Sequence, residues 1–146
     1  MYGGLTDMPQ LRSYEQALKH YESIKPIRGS NNLRPICATT NGRRKKHMQI
    51  IKRDDAIACR LYDTDVVTFY KDGTVVYNSG GFISNTTHAF ASSIFNHVFF
   101  STKKEVTKVT IGYGCVPFVP KTYHVDSNET FKMKREGDIW VAIDPP

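Results

Sequence analysis

Ala56-Ile57-Ala58-Cys59-Arg60-Leu61-Tyr62-Asp63-Thr64-Asp65-Val66-Val67-Thr68-Phe69-Tyr70-Lys71-Asp72-Gly73-Thr74-Val75-Val76-Tyr77 decides the fold of this chain. Its side chains alternate with a period of two. Ile57, Cys59 and Leu61 alternate with Ala58, Arg60 and Tyr62, and Val67 and Phe69 with Val66, Thr68 and Tyr70. A period of two puts alternate residues on opposite faces of a strand. Asp63-Thr64 and Asp72-Gly73 interrupt the pattern. Asp-Gly accepts the positive φ values of a type I′ hairpin turn, so the strand ending at Tyr70 folds back onto Thr74–Tyr77. Upstream, Met48 and Ile50 alternate with Gln49 and add a first strand. The spacing predicts an antiparallel β-meander over residues 47–78.

A helix is expected on each side of the meander. Ser13-Tyr14-Glu15-Gln16 has the form of a capping box, with Ser at the N-cap and Gln at N3. Leu11, Tyr14, Leu18 and Tyr21 share one face, and Lys25-Pro26 stops the helix, giving a span of about 12–24. Downstream, Ser84-Asn85-Thr86-Thr87 offers N-caps. Phe90, Ala91, Ile94, Phe95 and Val98 form a wide apolar stripe, so a helix over about 86–98 should cover one sheet face. The last third returns to strands around Val106–Ile111, Tyr123–Val125, Thr130–Met133 and Ile139–Ile143. The order is helix, arm, meander, helix and β-rich end, an α+β fold. The expected division is a helix and basic arm at 1–46 and a single α+β domain at 47–146. A chain of 146 residues suits that division.

Between the first helix and the meander, Pro26, Gly29, Asn31-Asn32, Pro35 and Asn41-Gly42 mark a turn-rich arm of about twenty residues. Loops of that length are uncommon in compact domains and are usually functional or mobile. The arm runs into Arg43-Arg44-Lys45-Lys46-His47-Met48-Gln49-Ile50-Ile51-Lys52-Arg53. These eleven residues hold six of the chain's 20 Lys and Arg and none of its 14 Asp and Glu. The rest of the chain is therefore balanced, and the whole formal charge of +6 lies here. So concentrated an excess points to an anionic partner, above all phosphate. Arg43, Arg44, Lys45 and Lys46 can meet successive phosphates, and Lys52 and Arg53 follow one strand later, ~17 Å on by strand rise. Tyr62, Phe69, Tyr70 and Tyr77 are the aromatics of the adjoining sheet. Alternation places Phe69 in the core, while Tyr70 and Tyr77, on the two arms of the hairpin, are the expected stacking platforms for bases.

Other chemistries lack their signatures. There is no G-x-x-x-x-G-K-[ST], G-x-G-x-x-G or H-E-x-x-H, and Ser79-Gly80-Gly81 has no nucleophile-elbow context. Cys37, Cys59 and Cys115 are odd in number and match neither a zinc site nor a disulfide framework, so reduced thiols are expected. Cys59 reads as a buried, inert thiol. Asp63 and Asp65 share a strand face and are the one carboxylate pair suited to acid–base work, although solvated strand-end acids are the commoner case. No enzyme, metal or cofactor is expected. No apolar h-region follows Met1 and no run approaches a membrane span, so neither a secretory signal nor membrane insertion is expected. The absence of zinc-finger, helix-turn-helix and R-G-F-G-F-V patterns favours single strands over duplex.

Lys25-Pro26-Ile27-Arg28-Gly29, Leu33-Arg34-Pro35, Gly42-Arg43-Arg44 to His47-Met48, Leu61–Val75 and Ser79-Gly80-Gly81 together resemble a group of small proteins encoded by tailed bacteriophages. The common core is T-D-V-V-T-[FY]-x-x-D-G-x-V, and the resemblance covers residues 25–90. It carries no catalytic residue. It implies a phage protein in the bacterial cytoplasm and a single-stranded-DNA-binding role accessory to transcription or replication, with a polymerase or another host or phage protein as a further partner. The alternative is a protein-interaction module, either a minor virion component or an inhibitor of a host protein. A helix and arm projecting from a β domain also suit a homo-oligomer.

Overall fold

A computed structural model describes residues 8–37, 46–81, 83–112, 119–137 and 139–145. The fold is α+β, with two helices, a six-stranded antiparallel sheet and a three-stranded sheet. The meander forms as expected: β1 (Met48–Lys52), β2 (Ala56–Leu61), β3 (Thr64–Tyr70) and β4 (Thr74–Asn78) are consecutive antiparallel neighbours. β8 (Thr130–Glu136) then pairs with β4, and β9 (Ile139–Ile143) with β8, extending the sheet in the order β1-β2-β3-β4-β8-β9. The second sheet is β5 (Val98–Lys103), β6 (Val106–Ile111) and β7 (Lys121–Val125).

The hairpin lies where Asp72-Gly73 places it, but its turn differs from the expected type I′. Of Lys71, Asp72 and Gly73, only Gly73 has positive φ, at +95°. Gly73 N–H donates to Tyr70 O at 3.1 Å, and Asp72 Oδ1 accepts from Thr74 N–H at 2.9 Å. A three-residue loop of this kind needs left-handed backbone only at its last residue, which the glycine supplies.

α1 spans Tyr14–Ser23. Ser13 Oγ accepts from Gln16 N–H, and the Gln16 side chain reaches back to Arg12 N–H, one residue outside the expected box. At the other end Arg34 donates to Tyr21 O (2.8 Å) and Ile24 O (3.0 Å) and lies over the Tyr21 ring. A guanidinium there satisfies terminal carbonyls and opposes the negative end of the helix dipole. Ala17 and Tyr21 of α1, with Ile36 and Cys37 of the arm, are buried in the same core as the sheets. The described part of the arm also pairs with β1: Ile36 N–H donates to Met48 O, and Ile50 N–H to Arg34 O. The N-terminal helix thus docks on its own domain.

α2 is shorter than expected, Asn85–Ile94, capped by Ser84 Oγ on Thr87 N–H. The chain turns at His97, whose φ is +66°, and Val98 opens β5, a strand the sequence pattern did not separate from the helix. The apolar stripe is buried as expected, yet Val98 and Phe100 are buried with Phe99 exposed between them, which is strand periodicity.

The two sheets and α2 share one aromatic core. Tyr77 stacks on Phe100 with centroids 4.6 Å apart, Phe95 contacts Phe69, Phe100 and Trp140, and Tyr123 meets Phe131. A buried polar chain crosses this core. Tyr77 Oη and His88 Nε2 both meet Thr107 Oγ1, and His88 Nδ1 meets Thr102 Oγ1 at 3.0 Å. Burial lowers the His88 pKa from its ordinary value. Among the described residues, no helix is long and apolar enough to cross a membrane.

Candidate nucleic-acid interface

The outward side of the six-stranded sheet is set by register. Ile51, Ala58, Thr68, Val76, Lys132 and Ile143 form one continuous row across all six strands. Six strands at sheet spacing extend the row over about 24 Å. Arg60, Asp65, Tyr70 and Lys134 lie on the same side. A register shift between Cys59 and Arg60 gives β3 one extra residue, and Asp65 falls opposite Arg60. Asp65 accepts both contacts from one Arg53 nitrogen, at 3.0 and 3.2 Å, and lies 3.8 Å from Arg60. β2 lies between Arg53 and Asp65, so the long Arg53 side chain spans one strand to reach the carboxylate.

At the corner where β2 turns into β3, Tyr62 is 64% exposed and has φ of +54°. The left-handed region is unfavourable for a bulky side chain. Three hydrogen bonds hold it there. Tyr62 N–H donates to His47 O at 2.8 Å, Arg60 Nε–H donates to Tyr62 O at 3.1 Å, and an Arg60 terminal N–H donates to Asp63 O at 3.2 Å. The His47 ring stands 5.3 Å from the Tyr62 ring, tilted by 31°. Lys46, exposed, immediately precedes His47. The exposed aromatic ring, in contact with His47, therefore sits where the basic run enters β1.

Tyr62 also forms a wall of a cleft of about 440 Å³ between the β2–β3 turn and the start of α2. Thr64, Ser79, Ser84, Thr86 and Thr87 line it with hydroxyls, and Asp63 adds a carboxylate. Among the described residues, no Lys or Arg lines it. Such a lining suits the N–H donors of a base edge or a sugar hydroxyl better than phosphate.

The expected site residues are dispersed. Arg43, Arg44 and Lys45 lie outside the described residues. Lys46 is exposed beside the Tyr62–His47 pair. Lys52 and Arg53 are both exposed but diverge: Lys52 takes the register position of core-facing Ile57, whereas Arg53 crosses the outer side to Asp65 rather than to Asp54 or Asp55. Tyr70 is half-buried on the outer side opposite Ala56. Tyr77 does not offer the expected stacking surface. It is 1% exposed, because it shares the core-facing parity of Val75 and its partner Val67. In sequence, Tyr62 was one of four sheet aromatics; alternation placed it with Arg60, opposite Ile57, Cys59 and Leu61, but did not set it apart from Tyr70. The informative signal was its place in the turn, next to Asp63-Thr64.

Cys59 is fully buried, and burial together with Asp65 pushes its thiol pKa far upward, as expected of an inert thiol. Asp63 and Asp65 are divided between two settings: Asp65 is bound by Arg53 and does not line the cleft that Asp63 lines. No cluster of three His, Cys, Asp or Glu able to hold a metal occurs among the described residues. The outer side of the three-stranded sheet carries the exposed Phe99 with Lys103, Lys108 and His124, a second combination of aromatic and basic groups. No family model matches the chain, and no curated protein and no solved structure matches it.

Proposed function

We propose that this chain is a non-enzymatic nucleic-acid-binding protein that takes single strands at the Tyr62 corner. The observation that carries the reading is the exposed Tyr62 ring, held in a strained conformation against His47 directly after the basic run. A base stacks on Tyr62 and turns its edge into the hydroxyl-lined cleft, while Lys46 and the residues before it follow the backbone phosphates. Stacking on one aromatic contributes about 1–3 kcal/mol and tolerates any base. A base held in a duplex cannot present its face in this way, so single strands are preferred. The resemblance to tailed-phage proteins supports a setting in phage transcription or replication.

Fluorescence anisotropy with a labelled single-stranded oligonucleotide and its duplex, across a salt series, tests this. Four phosphate contacts from Arg43 to Lys46 give a slope of log affinity against log salt of about −3. Replacing those four residues with Ala flattens the slope. Binding that ignores salt, or that favours the duplex, would contradict the proposal.

A further inference from the structure

We infer that the Tyr62 cleft selects guanine, read by the carboxylate of Asp63. The inference rests on the single-strand reading above and gives it a base preference. Tyr62 and Asp63 are consecutive, both are exposed, and both line the cleft. A base stacked on the Tyr62 ring therefore has a carboxylate beside its edge. A cavity of about 150 Å³ admits benzene, and the cleft, at about 440 Å³, has room for a purine.

Two observations set the base. The first is that the carboxylate is uncommitted. Arg60 donates to the Asp63 carbonyl, but its charge is directed to Asp65, 3.8 Å away. Arg53 also binds Asp65. Among the described residues, neither a cation nor a hydrogen-bond donor meets the Asp63 carboxylate. An acid where a basic run enters the sheet opposes phosphate binding, so attraction to the backbone does not account for it. The second is the rest of the lining. Thr64 and Thr86 add hydroxyls that make no hydrogen bond among the described residues, and a hydroxyl donates as well as accepts. The cleft thus offers a two-oxygen acceptor together with hydroxyl donors. Guanine is the base whose pairing edge matches. Its N1–H and N2–H₂ are adjacent donors, which a carboxylate takes together, and its O6 beside them accepts from a hydroxyl. Cytosine and adenine set one amino group beside a ring nitrogen that accepts, and thymine sets one N–H between two carbonyls. Each offers the carboxylate one bond and an opposing acceptor.

Fluorescence anisotropy with the full chain and short thymine strands that carry one central guanine, hypoxanthine, adenine or cytosine tests the inference. The guanine strand should bind about tenfold more tightly than the all-thymine strand, since a bidentate base contact discriminates by about that factor or more. Hypoxanthine keeps N1–H and O6 but lacks the N2 amino group, and should lose most of that gain. Asp63→Ala should bring the guanine strand to the affinity of the all-thymine strand. Asp63 is exposed, so the variant is expected to fold, and the hypoxanthine comparison, made on the unaltered chain, decides the matter if it does not. Equal affinity for all the strands, equal affinity for guanine and hypoxanthine, or a guanine preference that survives Asp63→Ala would overturn the guanine site and leave single-strand binding standing. No binding of any single strand would remove both.

Discussion

At Tyr62, conformation and exposure work against stability. A tyrosine at φ +54° gives up about 1–2 kcal/mol relative to an ordinary backbone, and an exposed ring recovers little of it by burial. Asn tolerates the left-handed region better. Tyr62→Asn should therefore raise the unfolding free energy by about 0.5–1 kcal/mol while weakening oligonucleotide binding by the stacking contribution of about 1–3 kcal/mol. Chemical denaturation and anisotropy on the same variant check the two signs. Strain that is relieved while binding is lost marks a residue kept for function. His88 makes the opposite case, a buried group kept for structure. Its folded-state pKa lies below the ordinary value of 6.5 because burial disfavours the charged ring. As pH falls below that value, the unfolded chain takes up a proton that the folded chain refuses, so its contribution is present above pH 6.5 and lost as acid is added. Denaturant midpoints measured from neutral to acidic pH should fall, and His88→Gln should flatten that fall.

Among the elements, the β2–β3 turn and the loop after β4 depend on each other. A Cβ at Gly80 would lie 2.5 Å from Thr64 Oγ1, and Gly80 has φ of +68°. Gly80→Ala should destabilise the fold by about 2 kcal/mol or more and widen the cleft beside Tyr62, as thermal unfolding and a lowered oligonucleotide affinity would report. The meander, both helix starts and the final hairpin strand were legible in sequence, because period-two alternation, Ser caps and Asp-Gly act locally. The end of α2 was not: Phe90–Phe95 and Val98 fit a helical stripe, and only pairing with β6 makes Val98–Lys103 a strand. Tyr77 failed for a related reason. A two-residue type I′ turn at Asp72-Gly73 would pair Tyr77 with Thr68 on the outer side, whereas the three-residue loop pairs it with core-facing Val67, where Phe100 and Thr107 meet it.

Over the whole molecule, charge and fold divide the work. The core is one hydrophobic cluster shared by two sheets and two helices, and outside residues 43–53 the chain carries no net formal charge. On the outer sheet side Arg53 and Arg60 share the single carboxylate of Asp65, Lys134 pairs with Glu136, and Lys132 is exposed, so this side keeps a modest positive excess. On the proposed reading, phosphate attraction is strongest at the basic run and the corner it enters, with a weaker contribution from the outer sheet side. The most direct measurement is photo-crosslinking of a 5-bromodeoxyuridine-substituted single strand, followed by mass mapping of the adducts. Adducts should concentrate on Tyr62 and His47 and fall away in Tyr62→Asn. Adducts on Phe99 and the outer side of the three-stranded sheet, or none above a duplex control, would contradict a single-strand site at the Tyr62 corner.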